Sequence, residues 1–324
     1  MTPSFRGRLR VARLADGWMV LDVASGRYFR ANGSGARIAA SLSRGAPVAD
    51  VVAKLSQHLD AIAATSTVAA FVDALERPAA RPEAGVLRFV DAAEVVQMWV
   101  AERHSVDVSR DGRSIVLRDL AAPPRRAEEL IRLALPHALT LQGLTVLHAS
   151  AIHEGGLVHA FSGASGAGKS TWAAALAGSG ADRIADDLVV LTPARPSALV
   201  ALGAEQVLRA WAEEHARSPG RSLTPPNREV FSTWPETAPL GRVSFLAGRH
   251  ADPHVRAQRL APSETCAQLL ANSFAETGLT RVLADRLRAA AWLTRHVVGD
   301  LIVVPEGLDR LSAAASGYRA MIES

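Results

Sequence analysis

The chain has 324 residues, 48% of them hydrophobic, and a formal net charge of +4. That size and composition exclude a wholly disordered chain and leave room for two domains, or for one large domain with an appendage. All but two of the 36 basic residues are arginine, scattered rather than interleaved with aromatics, which argues against nucleic acid as a partner. A single cysteine, Cys266, excludes an intrachain disulfide.

The N-terminus lacks the apolar core of a signal peptide, and no run reaches the length needed to span a bilayer. A cytoplasmic protein with no membrane partner is expected. Residues 9–31 alternate short apolar runs with the turn signals Asp16-Gly17 and Ala24-Ser25-Gly26, predicting two or three small antiparallel strands. Helical spacing follows. Gly33-Ser34-Gly35 opens a helix carrying Ile38, Ala39 and Leu42. Val48, Val51, Val52, Leu55 and Leu59 mark a second helix, and Val68, Phe71, Val72 and Leu75 a third. A small sheet with three helices on its apolar face is a viable unit of about 80 residues.

Proline-rich Arg77–Gly85 predicts a linker, which divides the chain into a first domain, 1–80, and a second, 81–324. Removing the first domain is then expected to leave the second working. Two short strands are expected around Asp111-Gly112. A helix follows from near Arg126, and Pro136 should kink it or end it near Leu135. Gly220–Pro239 reads as a loop-rich excursion that could order on substrate binding.

The stretch Gly163-Ala164-Ser165-Gly166-Ala167-Gly168-Lys169-Ser170-Thr171 fits the phosphate-cradling pattern G-x-x-x-x-G-K-[ST] without a mismatch. Leu157–Phe161 predicts the strand feeding it, and Thr171–Ala177 the helix leaving it. Glycines let backbone N–H groups converge on phosphate oxygens, and the helix N-terminus adds partial positive charge. All nine residues are expected to line a nucleoside triphosphate. Lys169 would reach the β- and γ-phosphates and the Ser170 hydroxyl would meet a metal ion, so ATP and Mg²⁺ are the expected cofactors.

Leu144–Ile152 predicts a strand, and His153-Glu154-Gly155-Gly156 turns it directly into the loop strand. An antiparallel hairpin then delivers the loop, with His148 on the partner strand. Arg183–Leu191 predicts the next strand, carrying Asp186 and Asp187 past the phosphates. Strand alternation would turn the two acids to opposite faces. Asp186 is assigned as the base and Asp187, with Ser170, as the metal partner; the reverse assignment stays open. His250 and His254 have metal-like spacing, but Pro253 argues against a helix and no third ligand is evident, so zinc is not expected. His153 and His159 read as turn and strand-packing residues, and Trp211 as core or substrate-loop packing.

Two resemblances follow. Leu21–Asn32, the small-residue helix start after it and the Ala46–Val52 helix are similar to the PqqD-like peptide-recognition domains of ribosomal-peptide modification systems. That resemblance implies a winged-helix-like α+β domain that adds a leader peptide as an edge strand. His148, the loop Gly163–Ser170 and the trio Ala185-Asp186-Asp187 resemble the HPr kinase/phosphorylase family, most specifically over 144–191. The fold class it implies is α/β, a P-loop kinase core of HPr kinase/phosphoenolpyruvate carboxykinase type with a mixed sheet and flanking helices. In that family one aspartate accepts the proton of a substrate serine, the loop hydroxyl and an acidic group hold Mg²⁺, and the histidine positions substrate and transferred phosphate. His148, Lys169, Asp186 and Asp187 are the matching catalytic set. Thr171 stands where the family commonly has glutamate, which leaves more of the metal to Asp187. Leu240–Arg249 departs from the family's signature for reverse phosphorolysis, with Arg249 as a candidate phosphate ligand.

The expected function is a serine/threonine-type kinase that transfers the γ-phosphoryl group of ATP to a hydroxyl of a peptide or small protein, in ribosomal-peptide modification. The first domain would hold the substrate's leader and raise the local concentration of the acceptor. A small-molecule kinase and a nucleotide-binding ATPase or switch are the alternatives. Acceptor, ATP-versus-GTP preference and oligomeric state stay open.

Overall fold

The computed structural model describes residues 5–58, 60–76, 87–92, 94–101, 103–191, 199–201, 213, 216–225, 237–274 and 280–323. The linker Arg77–Gly85 with its domain boundary, Trp211 and most of the Gly220–Pro239 excursion lie outside the described residues.

Three strands open the chain, β1 (Leu9–Leu14), β2 (Gly17–Asp22) and β3 (Arg27–Ala31), paired antiparallel in that order. Helices α1 (Gly33–Ser43), α2 (Val48–Leu55) and α3 (Ala61–Glu76) follow. Asn32 starts α1 by accepting the Gly35 N–H on its side-chain oxygen at 2.9 Å. Side chains alternate across β2, and both faces are apolar. Val20 joins Leu9, Ile38, Leu42, Val51 and Val68 in a core under the three helices. Met19 and Leu21, with Leu14 of β1, point the other way into the core of the rest of the chain. The sequence reading gave this sheet one apolar face; it has two, and the second is already occupied.

The next sheet is an antiparallel meander of β4 (Leu87–Asp91), β5 (Val95–Val100), β6 (Arg103–Ser109) and β7 (Ile115–Leu117). It holds four strands where two were expected, with Asp111-Gly112 in the β6–β7 turn. Helix α4 (Pro124–Leu141) packs on β6 and β7. It does not end near Leu135, one of the two outcomes expected at Pro136, but continues five residues beyond the proline. A proline inside a helix costs about 3 kcal/mol. Every side chain from Ala134 to Leu141 is buried, and that packing outweighs the lost backbone bond.

The main sheet has nine strands: β8 (Thr145–Glu154), β9 (Leu157–Ser162), β10 (Asp182–Ala185), β11 (Leu188–Leu191), β12 (Leu199–Ala201), β13 (Thr237–Ala238), β14 (Leu240–His250), β15 (Arg256–Arg259) and β16 (Val298–Pro305). The order is β13-β12-β11-β8-β9-β14-β16-β15, with β10 paired to the far half of β8. The β9–β14 and β14–β16 pairs are parallel and the others antiparallel, so the sheet is mixed. Helices α5 (Lys169–Gly178) and α8 (Leu308–Glu323) cover one face through Trp172, Leu176 and Tyr318. Helices α6 (Pro262–Ala271) and α7 (Thr280–Leu293) join α4 in the core on the other face. The whole is a mixed α/β architecture, and no described helix is long and apolar enough to cross a membrane.

The N-terminal sheet docks on α6 and α7 with specific polar contacts. Ala261 precedes α6 and has no side-chain oxygen to cap it. Asp16, from the β1–β2 turn, supplies the oxygens instead, accepting from the Ser263 N–H at 2.9 Å and its hydroxyl at 2.6 Å. The buried Arg286 of α7 donates to the Tyr28 hydroxyl of β3 at 3.4 Å and to the carbonyls of Leu270 and Ser273, each at 2.7 Å.

Candidate active site

Strands β8 and β9 form a hairpin around Gly155-Gly156, and β9 runs straight into the loop at Gly163. Two loop glycines are required by their surroundings. Gly163 has φ 147°, and a Cβ there would lie 2.9 Å from the Leu246 carbonyl oxygen of β14. Gly168 has φ 97°, and a Cβ would lie 2.8 Å from Nη2 of Arg249. The Arg249 guanidinium therefore rests on the loop. A bulge between Leu246 and Gly248 re-aims β14 just before it.

Helix α5 begins at Lys169, whose Nζ donates to the carbonyls of Gly163 at 3.0 Å and Ala164 at 3.1 Å. The loop is thus closed on its own lysine. Burial pushes the Lys169 pKa below its ordinary value, and the Asp187 and Asp186 carboxylates pull it back up. Ser170 follows at the start of α5, near Ser150 of β8, with 3.5 Å between the two hydroxyl oxygens.

The acidic pair departs from the sequence expectation. Asp186 and Asp187 do not lie within one strand. They occupy the break between β10 and β11, and Asp187 has φ 70°. Period-two alternation therefore does not separate them. Left-handed backbone, tolerated by aspartate better than by most residues, sets the direction of Asp187 instead. The Leu188 N–H donates to the Asp186 carbonyl at 3.0 Å, and the Asp187 carbonyl accepts from the Ala149 N–H at 3.2 Å.

The two carboxylates have different company. Asp186 accepts from the Ser150 hydroxyl at 2.8 Å and pairs with Arg183. Burial would raise its pKa, but hydrogen bonds from Ser170 and Ser150 and the Arg183 charge hold it below the usual carboxylate value. Asp187 is 47% exposed and meets Arg132 of α4 at 3.4 Å. His148 lies half-buried on β8, its ring centroid 6.0 Å from that of Phe274. Burial and then the Lys169 charge push its pKa down, against the opposing pull of Asp187, so the imidazole is neutral at pH 7.

The fold thus gathers His148, Lys169, Ser170, Asp186 and Asp187 at one end of the hairpin. Sequence reasoning did not find Ser150, Arg132 or Arg183, and placed Arg249 only by analogy. Ser150 had a legible signal: two residues after His148, it shares that strand face. The arginines had none, because α4 and the β10 ladder bring them in from separate elements. Burial lowers the His159 pKa to about 4, so this strand residue is also neutral at pH 7. Among the described residues no three His, Cys, Asp or Glu side chains gather as a metal site, His250 and His254 included.

Glycine turns, an ammonium, a guanidinium, a helix N-terminus and an acid beside a hydroxyl suit a phosphate-bearing ligand. No curated protein sequence matches the chain. The solved structure of the Hpr(Ser) kinase/phosphatase from Coxiella burnetii aligns with 55% of this chain and 99% of its own, at 11% identity and a TM-score of 0.27, below what establishes a shared fold. Residues 17–78, from β2 to just past the end of α3, match the family model for coenzyme PQQ synthesis protein D (PqqD).

Proposed function

We propose that this protein is an ATP-dependent kinase that phosphorylates a serine or threonine hydroxyl of a peptide, in the modification of ribosomally made peptides. The observation that carries the reading is the convergence of Lys169, Ser170, Asp186, Asp187 and His148 on one phosphate loop. A nucleotide scaffold would need the loop and its lysine but not a second, half-exposed carboxylate beside a neutral histidine. The PqqD match over residues 17–78 supports a peptide as substrate, with β3 as the edge on which a leader strand would add.

The roles follow from the surroundings of each side chain. Asp186, joined to Ser150 and Ser170, is the acid suited to Mg²⁺ together with the Ser170 hydroxyl. A magnesium ion carried with nucleotide phosphates takes few protein ligands, so these two oxygens suffice. Bound there, the ion would offset phosphate charge. Asp187 is then the base, the reverse of the assignment made from sequence, where both were open. It accepts the proton of the acceptor hydroxyl as that oxygen bonds to the γ-phosphorus and the bond to the β–γ bridging oxygen breaks. Lys169 and Arg249 balance charge on the phosphate oxygens, and neutral His148 offers a hydrogen bond to acceptor or transferred group.

The test is calorimetric titration with Mg·ATP, paired with intact-mass detection of phosphorylated peptide, for the wild type and Lys169→Ala. The wild type should bind nucleotide and add one phosphoryl group, preferring leader-bearing peptide through a lower KM; the variant should do neither. A wild type that ignores ATP, or a variant that turns over normally, would overturn the reading.

A further inference from the structure

A second recognition site lies on the helical side of the N-terminal unit. Helices α1 and α2 enclose a pocket of about 540 Å³, within the size range of ligand sites. Arg37 of α1 and Arg44, the residue that caps its C-terminus, reach it at i and i+7, and Lys54 of α2 and His58 of the turn after it face them. All four side chains are exposed, and among the described residues none meets a carboxylate within salt-bridge distance. Asp50 and Asp60, the nearest acids in sequence, are not among the lining residues. Beneath the guanidinium groups and the Lys54 ammonium, Ile38, Val51 and Leu55 form an apolar floor.

We infer that this pocket binds an acidic peptide segment, one aliphatic or aromatic side chain seated on the floor and flanking carboxylates meeting the cationic rim. Two guanidinium groups and an ammonium gathered at one concave surface concentrate positive potential there, which selects an anionic partner. A lone phosphate would leave most of the volume and the apolar floor unused. A nucleic acid would want broad stacking surfaces, and no phenylalanine, tyrosine or tryptophan lines the pocket. The site is on the helices rather than the β3 edge, and it requires no phosphoryl transfer.

The experiment is fluorescence anisotropy of the full-length protein with a fluorescein-labelled octapeptide of glutamate, leucine and phenylalanine at its centre. Its lysine counterpart serves as control. The glutamate peptide should bind saturably, weaken as salt rises, and lose about tenfold or more in affinity with Arg44→Glu plus Lys54→Glu. The lysine peptide should not bind, and Lys169→Ala should bind the glutamate peptide as the wild type does, which separates this site from the nucleotide loop. Should the double variant melt below the wild type, the neutralising pair Arg37→Gln and Arg44→Gln is read instead, with weakening expected. Unchanged affinity in a folded variant, or no saturable binding to the wild type, would overturn the assignment. So would a duplex oligonucleotide that displaces the peptide at lower concentration than unlabelled peptide does.

Discussion

Lys169 closes the phosphate loop with hydrogen bonds to residues five and six positions back, whereas Asp16 and Tyr28 of the N-terminal sheet find partners 247 and 258 positions downstream. The loop takes its shape from neighbours in sequence, with Leu246 and Arg249 of β14 leaning on it. The N-terminal sheet is completed from outside its own segment. Its helices cover one face and α6 and α7 the other, so it is a shared layer rather than a bead on a string. A contiguous motif can therefore be disabled without unfolding the protein, while a unit that matches a family model over its own residues is not thereby separable.

The comparison breaks most sharply on truncation. Removing residues 1–80 uncovers the surfaces that bury Leu14, Met19 and Leu21, each worth about 1.5–3 kcal/mol, against a total stability on the order of 5–15 kcal/mol. The truncated chain should aggregate or melt far below the full chain, contrary to the expectation of a removable first domain. Size-exclusion chromatography and thermal melting decide this, and a soluble fragment with the full-length Tm would restore the independent-domain picture.

Next come the loop-side acids. Asp187→Asn should lower phosphoryl transfer by about 10²–10⁴-fold while the melting curve and Mg·ATP affinity hold. Asp186→Asn should instead raise the Mg²⁺ concentration needed for half-maximal rate. Measuring rates at two Mg²⁺ levels separates the two, and the opposite pattern would return the base's role to Asp186.

A smaller effect comes from the buried end of the N-terminal sheet. Asp22 accepts from the Arg8 guanidinium at 2.6 and 2.7 Å and from the Ser25 hydroxyl at 2.6 Å. Burial would raise its pKa, but these bonds and the Arg8 charge hold it below the ordinary carboxylate value. A depressed native pKa stabilises the fold above the unfolded value of about 4 and loses that contribution as pH falls through the native value. Asp22→Asn should cost about 1–3 kcal/mol at pH 7, with the gap between the two proteins closing on acidification. Melting temperatures taken from pH 7 downward test this; a gap that widens in acid would contradict it.

The smallest effect is expected at the borrowed cap. Asp16→Ala removes the side-chain acceptor from the start of α6 and should cost about 1 kcal/mol, as for a cap within one helix. Chemical denaturation gives the number. No change at all would mean that Asp16 merely touches α6.

Elements whose signals are local were legible in the sequence: the strand–loop–helix of Leu157–Gly178, the hairpin placing His148 beside it, the three short strands and the helices after Asn32. Periodicity, glycine position and capping oxygens act over a few residues, and the backbone follows them. Tertiary structure decided what depends on contact between distant segments. It broke the strand at Asp186 and Asp187, carried α4 through Pro136 by burying its last turns, and brought Arg132 and Arg249 to the site from two elements. It also gave the N-terminal sheet a second buried face. Met19 and Leu21 announce only that they are apolar; which surface covers them is set by α6 and α7, some 250 residues away, because burial rewards any apolar partner and only the folded chain chooses one.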